Sequence, residues 1–169
     1  SAFGLDAASG VQAWLAEQLA PATDLSVSEL TSTAGGLSSE MYFFSAAWTD
    51  ERGHRHENDF VIRMRPDFHQ VIPDPDAIFQ YELMKRIGES SSVPVPRVWL
   101  AEAASTPVGS PFFLMEKVEG HVVTSEVPAE LDSIEDRRRM GEELVDALVE
   151  VHAVDWQGVG LEGYGKPTG

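Results

Sequence analysis

Apolar residues first recur at helical spacing between Asp6 and Leu19, where Val11, Trp14, Leu15, Gln18 and Leu19 fall near one face. Pro21 cannot continue a helix, so the spacing predicts an amphipathic helix that ends before it. From Leu25 to Thr33 the pattern alternates imperfectly, and Met41 to Trp48 is rich in aromatics. Both read as strands, separated by the break at Gly35-Gly36. Asp50-Glu51-Arg52-Gly53 reads as a turn, and Asp59 to Met64 as a third strand. Together they predict a three-stranded antiparallel meander. Pro66 to Pro75 follows as a loop. Over residues 76–87, Phe79, Leu83 and Ile87 return at i, i+4 and i+8, which predicts a helix. Ser90-Ser91-Ser92 and Val93-Pro94-Val95-Pro96 make a stiff connector to two further strands, Arg97 to Ala103 and Phe112 to Val118. Residues 120–133 read as a linker. Ile134 to Val154 then carries Met140, Leu144, Ala147, Leu148 and Val151 on one face of a long helix. Five glycines and one proline in residues 158–169 predict a closing loop.

This pattern describes an α+β chain: a five-stranded antiparallel sheet with helices, followed by the first helix of a helical region. The expected division is 1–118 for the sheet-bearing lobe and 119–169 for the linker and helix. A hydrophobic content of 43% supports a packed core. No apolar run reaches the roughly 18 residues of a membrane span. The start, Ser1-Ala2-Phe3-Gly4, lacks the basic and apolar regions of a secretory signal. The absence of cysteine removes disulfides and thiolate chemistry and fits a cytoplasmic protein.

Charge narrows the partners. With 28 acidic against 12 basic residues the formal net charge is −16. Such a field repels nucleic acid and anionic membrane, so neither is an expected partner. It keeps the chain soluble and favours cationic partners. An anionic ligand would have to be held by local backbone donors and a few cations.

Four features are candidates for such chemistry. In Gly35-Gly36-Leu37-Ser38-Ser39 the glycines let the backbone approach a ligand with its N–H groups outward, and Ser38 and Ser39 add hydroxyl donors. The same glycine pair also suits an ordinary hairpin turn. Arg63 lies on an otherwise apolar strand, with Arg65 on the same side, and its fork matches phosphate oxygens. An edge-strand charge in solvent is the plainer reading. On the following helix Glu82 is the better chemical partner for Arg63, whereas Gln80 lies nearer the apolar face; both stay open. At the end of the strand 112–118, the Glu116 carbonyl and Val118 amide are placed to meet an adenine edge, with Met115 as a wall, although a plain core strand has the same pattern. His152 is expected to sit at a helix end, favoured by the dipole and packed against a neighbour. His54 and His56 belong to a charged hairpin tip. No His/Cys metal site and no catalytic residue are expected in this stretch.

These motifs, in this order, resemble the aminoglycoside phosphotransferase family of kinase-like enzymes, in its actinobacterial and acyl-CoA-dehydrogenase-associated branch. The matching segments are Gly35–Ser39, Val61-Ile62-Arg63, Val93-Pro94-Val95-Pro96-Arg97-Val98, Gly109 to Gly120 and Leu148 to Trp156. The resemblance implies transfer of phosphate from ATP or GTP, with Mg2+, to a hydroxyl of a small molecule. It would set Ser38 and Ser39 over the phosphates, Arg63 where the family holds a phosphate-anchoring Lys, Gln80 or Glu82 beside it, and Glu116 and Val118 against the base. The family's His-Gly-Asp…Asn loop and later magnesium Asp are absent from this sequence. The chain is therefore expected to be an amino-terminal fragment, inactive alone, whose long helix exposes an apolar face and supports a dimer. The alternative is a non-catalytic acidic interaction domain of kinase-like shape.

Overall fold

The structure, a computed structural model, describes residues 5–32, 40–64, 76–104, 107–121, 123 and 126–162. Its elements run α1 (Leu5–Gln18), β1 (Thr23–Val27), β2 (Thr31–Ser32), β3 (Glu40–Thr49), β4 (Arg55–Met64), α2 (Ala77–Ser90), β5 (Val98–Glu102), β6 (Phe112–Glu116) and α3 (Ile134–Ala153), with a short 3-10 turn at Ala129–Leu131 before α3. The backbone forms two compact units. One comprises residues 1–82 and 96–117, the other 83–95 and 118–169. Among the described residues no helix is long and apolar enough to cross a membrane.

The first unit carries one antiparallel sheet, ordered β1-β3-β4-β6-β5, with β2 also paired to β3. It has six strands where five were expected, because the edge strand read over residues 25–33 is divided. At the division the Ser45 N–H donates to Ser28 Oγ (2.9 Å), while the Ser28 N–H donates to the Ser45 carbonyl (2.9 Å). A side-chain hydroxyl thus takes a backbone hydrogen bond, and the ladder breaks there.

Side chains alternate across a strand, so each strand of this sheet serves two faces. One face is set by Tyr42, Phe44, Ala46 and Trp48 on β3, Phe60, Ile62 and Met64 on β4, and Phe112 and Leu114 on β6, all buried in one cluster with Val11, Trp14 and Leu15 of α1. Those three helix residues fall at i, i+3 and i+4, which explains why α1 lays this stripe on the sheet. Trp14 packs edge-on against Phe112 with ring centroids 4.9 Å apart. Its indole N–H donates to Glu102 Oε2 (2.8 Å), so the buried donor is satisfied.

The β3–β4 turn is held by Asp50. Its Oδ1 accepts the N–H groups of Arg52 and His54 (both 2.9 Å), and Oδ2 lies 2.9 Å from His56 Nε2. These bonds, led by the one to His56, hold the carboxyl at about 2, below its ordinary value. Gly53 closes the turn at φ +81°, where a side chain would be strained.

In the second unit α3 begins with Ser133 accepting the Asp136 N–H as its N-cap. Its first half is covered with exposed arginine–carboxylate pairs, including Arg138 with Glu135 and Glu142. Its second half presents Leu144 (72% exposed), Leu148 (52%) and Val151 (48%) on the expected apolar face. His152 stands in the last turn, where the helix dipole favours it, and is exposed rather than packed.

Candidate functional site

The second face of the sheet holds the features that the sequence marked. The register places Met41 opposite Arg63, Phe43 opposite Val61 and Ser45 opposite Asp59 between β3 and β4. Between β4 and β6 it places Arg63 opposite Phe113 and Val61 opposite Met115. By alternation, Phe43, Val61, Arg63 and Met115 therefore share one side of the sheet, opposite the α1 core. Val61 and Met115 are buried there, forming an apolar floor.

Arg63 is the distinctive group of this face. It is half-buried, and its Nε is buried with no hydrogen-bond partner. A buried unpaired donor costs about 1–3 kcal/mol, which marks a position where a ligand acceptor would be favourable. On the α2 side, Tyr81 packs against Phe113 with ring centroids 6.1 Å apart. Phe113 is the register partner of Arg63, so the helix turn bearing Gln80, Tyr81 and Glu82 covers this part of the sheet. Gln80 and Glu82 are both half-buried.

At the end of β6, the Glu116 carboxylate accepts the Arg97 N–H (2.9 Å), and the Glu116 N–H donates to the Arg97 carbonyl (2.8 Å). The side chain thereby fixes the end of the strand. Met115 is buried on this face. Val118 belongs to the second unit and is 65% exposed. Gly35, Gly36, Ser38 and Ser39 lie outside the described residues, as does Arg65.

A pocket of about 290 Å³ opens on the same face, beyond Phe43. Its lining includes Ser28, Glu29, Thr31, Phe43, Ser45, Asp59 and Lys117. Ser45 donates to Asp59 Oδ1 (2.5 Å), and Lys117 Nζ lies 3.9 Å from Asp59 Oδ2. The same ammonium stands 5.8 Å over the Phe43 ring, within cation–π range. Sequence reasoning missed this group. Strand register, not a local pattern, brings Ser45 and Asp59 together.

Among the described residues no group of three His, Asp or Glu side chains could hold a metal ion.

Comparison with known proteins places this architecture. A crystal structure titled as that of "a putative aminoglycoside phosphotransferase" from Ralstonia eutropha superposes with a TM-score of 0.61, over 93% of this chain and 41% of that one, at 22% identity. The likeness establishes the kinase-like phosphotransferase fold. A "Probable acyl-CoA dehydrogenase IBR3" of Arabidopsis thaliana is 28% identical over 110 residues, covering 63% of this chain and 13% of the relative. The chain thus spans a minor part of the length of both relatives. That dehydrogenase name agrees with the branch suggested by the motifs. The phosphotransferase enzyme family matches residues 29–169, and the chain belongs to that family.

Proposed function

We propose that this chain is the nucleotide-binding part of a small-molecule phosphotransferase that moves phosphate from ATP or GTP to a substrate hydroxyl. The observation that carries the reading is Arg63, whose buried Nε lacks a partner on the face that also holds Val61 and Met115. In this reading the fork of Arg63 meets the phosphates, with Gly35, Gly36, Ser38 and Ser39 above them. The base lies on the floor of Val61 and Met115, near the Glu116 carbonyl. Gln80 or Glu82 orients Arg63 from α2. A phosphoryl-transfer enzyme also needs metal-binding carboxylates and a residue that positions the nucleophile. The family's loop motif for these is not in this sequence, so the chain alone is expected to bind nucleotide without turning it over.

Calorimetric titration with adenosine and with magnesium-ATP tests the reading. Binding of both is the expected result. Binding of neither, repeated with a longer form of the protein, would favour a non-catalytic interaction domain instead.

The apolar stripe of α3 carries a separate expectation. Leu144, Leu148 and Val151 are too exposed to be a finished surface. We propose that a second copy of the chain covers them. Light scattering at high concentration should show a dimer that Leu148→Asp returns to monomer; a strictly monomeric wild type would overturn the proposal.

A further inference from the structure

Strand β1 ends the sheet: among the described residues only β3 pairs with it. The Ser28 N–H, just past its end, donates to the Ser45 carbonyl of β3 (2.9 Å). Backbone groups alternate sides along a strand, so Leu25 and Val27 turn theirs to the free edge. There the Leu25 carbonyl is met by the side-chain amide of Gln12 from α1, at 3.4 Å. That is long for an N–H···O bond. A side chain thus stands loosely where the N–H of a further strand would be. The usable edge is short. Asp24 and Leu25 together oppose Trp48, a bulge in which Asp24 takes φ +54°. The Asp24 carbonyl accepts from Arg55 Nη1 (3.0 Å). Arg55 has the parity of Arg63 on β4, so it reaches Asp24 from the face opposite α1.

Beside this edge a groove of about 430 Å³ opens between α1 and β1. Ser9, Ala13 and Ala16 form one row of the helix at i, i+4 and i+7, distinct from the stripe of Val11, Trp14 and Leu15. All three are small and exposed, so the helix leaves room that larger side chains would fill. Ala22, Thr23 and Leu25 make the other wall. Asp24 is the only ionisable residue among the described lining, and the exposed Glu17 follows Ala13 one turn on. An occupant therefore meets carboxylates, in a chain of net charge −16. That field favours a cation. It disfavours a second copy of this edge, which would bring the same carboxylates against themselves.

We propose that this groove takes an extended, basic segment of a partner protein, which adds one strand to the edge of β1 and sets a lysine or arginine at Asp24. Its backbone N–H displaces the Gln12 amide from the Leu25 carbonyl, and its side chains enter the channel beside Ala13 and Ala16. In such strand addition the main-chain bonds give affinity and the side-chain pockets give specificity. The surface lies on the α1 side of the sheet and is independent of the nucleotide reading.

The test is a titration of this chain, followed by its backbone amide NMR shifts, with a capped hexapeptide of alternating lysine and valine. Two comparators are the same peptide with its alternate amides N-methylated, and one with glutamate for lysine. The lysine peptide is expected to bind roughly tenfold tighter than either and to move the amides of Leu25 and Val27. Ala13→Trp, at an exposed position, is expected to fill the channel and weaken the peptide by roughly tenfold with an unchanged melting curve. Asp24→Asn, which tolerates the same positive φ, should cost roughly three- to tenfold. Absence of binding at millimolar peptide would overturn the proposal. So would equal binding of the N-methylated or the glutamate peptide, or unchanged affinity in a folded Ala13→Trp. A dimer of the free chain that Ala13→Trp abolishes would assign the groove to a second copy and overturn it as well.

Discussion

Arg63→Ala is expected to weaken magnesium-ATP binding by roughly 10- to 100-fold, the range of one or two lost hydrogen bonds to a charged group, while adenosine binding stays unchanged. The split follows from place. Arg63 lies two residues along β4 from Val61, at the end of the face nearer residue 40, whereas the proposed base floor is Val61 and Met115. The substitution should not unfold the chain. The Arg63 Nε is buried without a partner, so its removal relieves a desolvation penalty instead of breaking a bond. Arg63→Met, which keeps the length of the side chain, should melt at or above the wild-type temperature. Loss of affinity with gained stability is the signature of a side chain kept for a ligand. Arg63→Lys should recover part of the ATP affinity, since it restores the charge but not the fork. Equal ATP affinity for wild type and Arg63→Ala, or a large fall in stability on Arg63→Met, would remove Arg63 from the phosphate role.

The largest stability effect is expected at Phe112. The ring is fully buried (0% exposed) and lies between β4 and β5, with Met64 and Glu102 as its register partners. It also carries the edge of Trp14. Phe112→Ala removes the ring on which Trp14 of α1 packs and leaves a cavity. Such truncations cost about 3–5 kcal/mol, against a usual total of about 5–15 kcal/mol for a domain. Urea denaturation should show a midpoint far below wild type, and near-complete unfolding at 37 °C is the expected limit. Phe112→Leu should recover most of the loss. A shift of under about 1 kcal/mol for Phe112→Ala would show that α1 packs on the sheet independently of this ring.

Much of this fold was legible in the chain because its signals are local. Val11, Trp14 and Leu15 announce a helix face by spacing alone, and Pro21 supplies its end. The aromatic run Met41 to Trp48, the turn at Asp50-Glu51-Arg52-Gly53 and the apolar strand before Arg63 specify a hairpin by residue type. The α3 stripe was visible for the same reason, and so were the family's motifs, since each is a short contiguous string. What stayed hidden is what depends on pairing. Phe112-Phe113-Leu114-Met115 is an unbroken apolar run, and all four residues are buried. A run covered on both faces has no alternation from which to tell the α1 side from the opposite side. The division between β1 and β2 was equally invisible, because the hydroxyl that breaks the ladder bonds to Ser45, seventeen residues away.

The candidate site divides along the same line. Arg63, Met115 and Glu116 could be singled out because each is unusual for its own strand. The grouping of Ser28, Ser45, Asp59 and Lys117 could not, because it is made by register: Ser45 opposite Asp59 across β3 and β4, and the Lys117 N–H on the Asp59 carbonyl (3.2 Å) at the end of β6. The amino-acid sequence by itself determined the elements, their order and the family, since propensity, turn chemistry and periodicity act over a few residues. Only the tertiary structure decided which side chains share the face with Arg63, because strand pairing joins residues far apart in the chain and a shift of one residue would send every one of them to the other side.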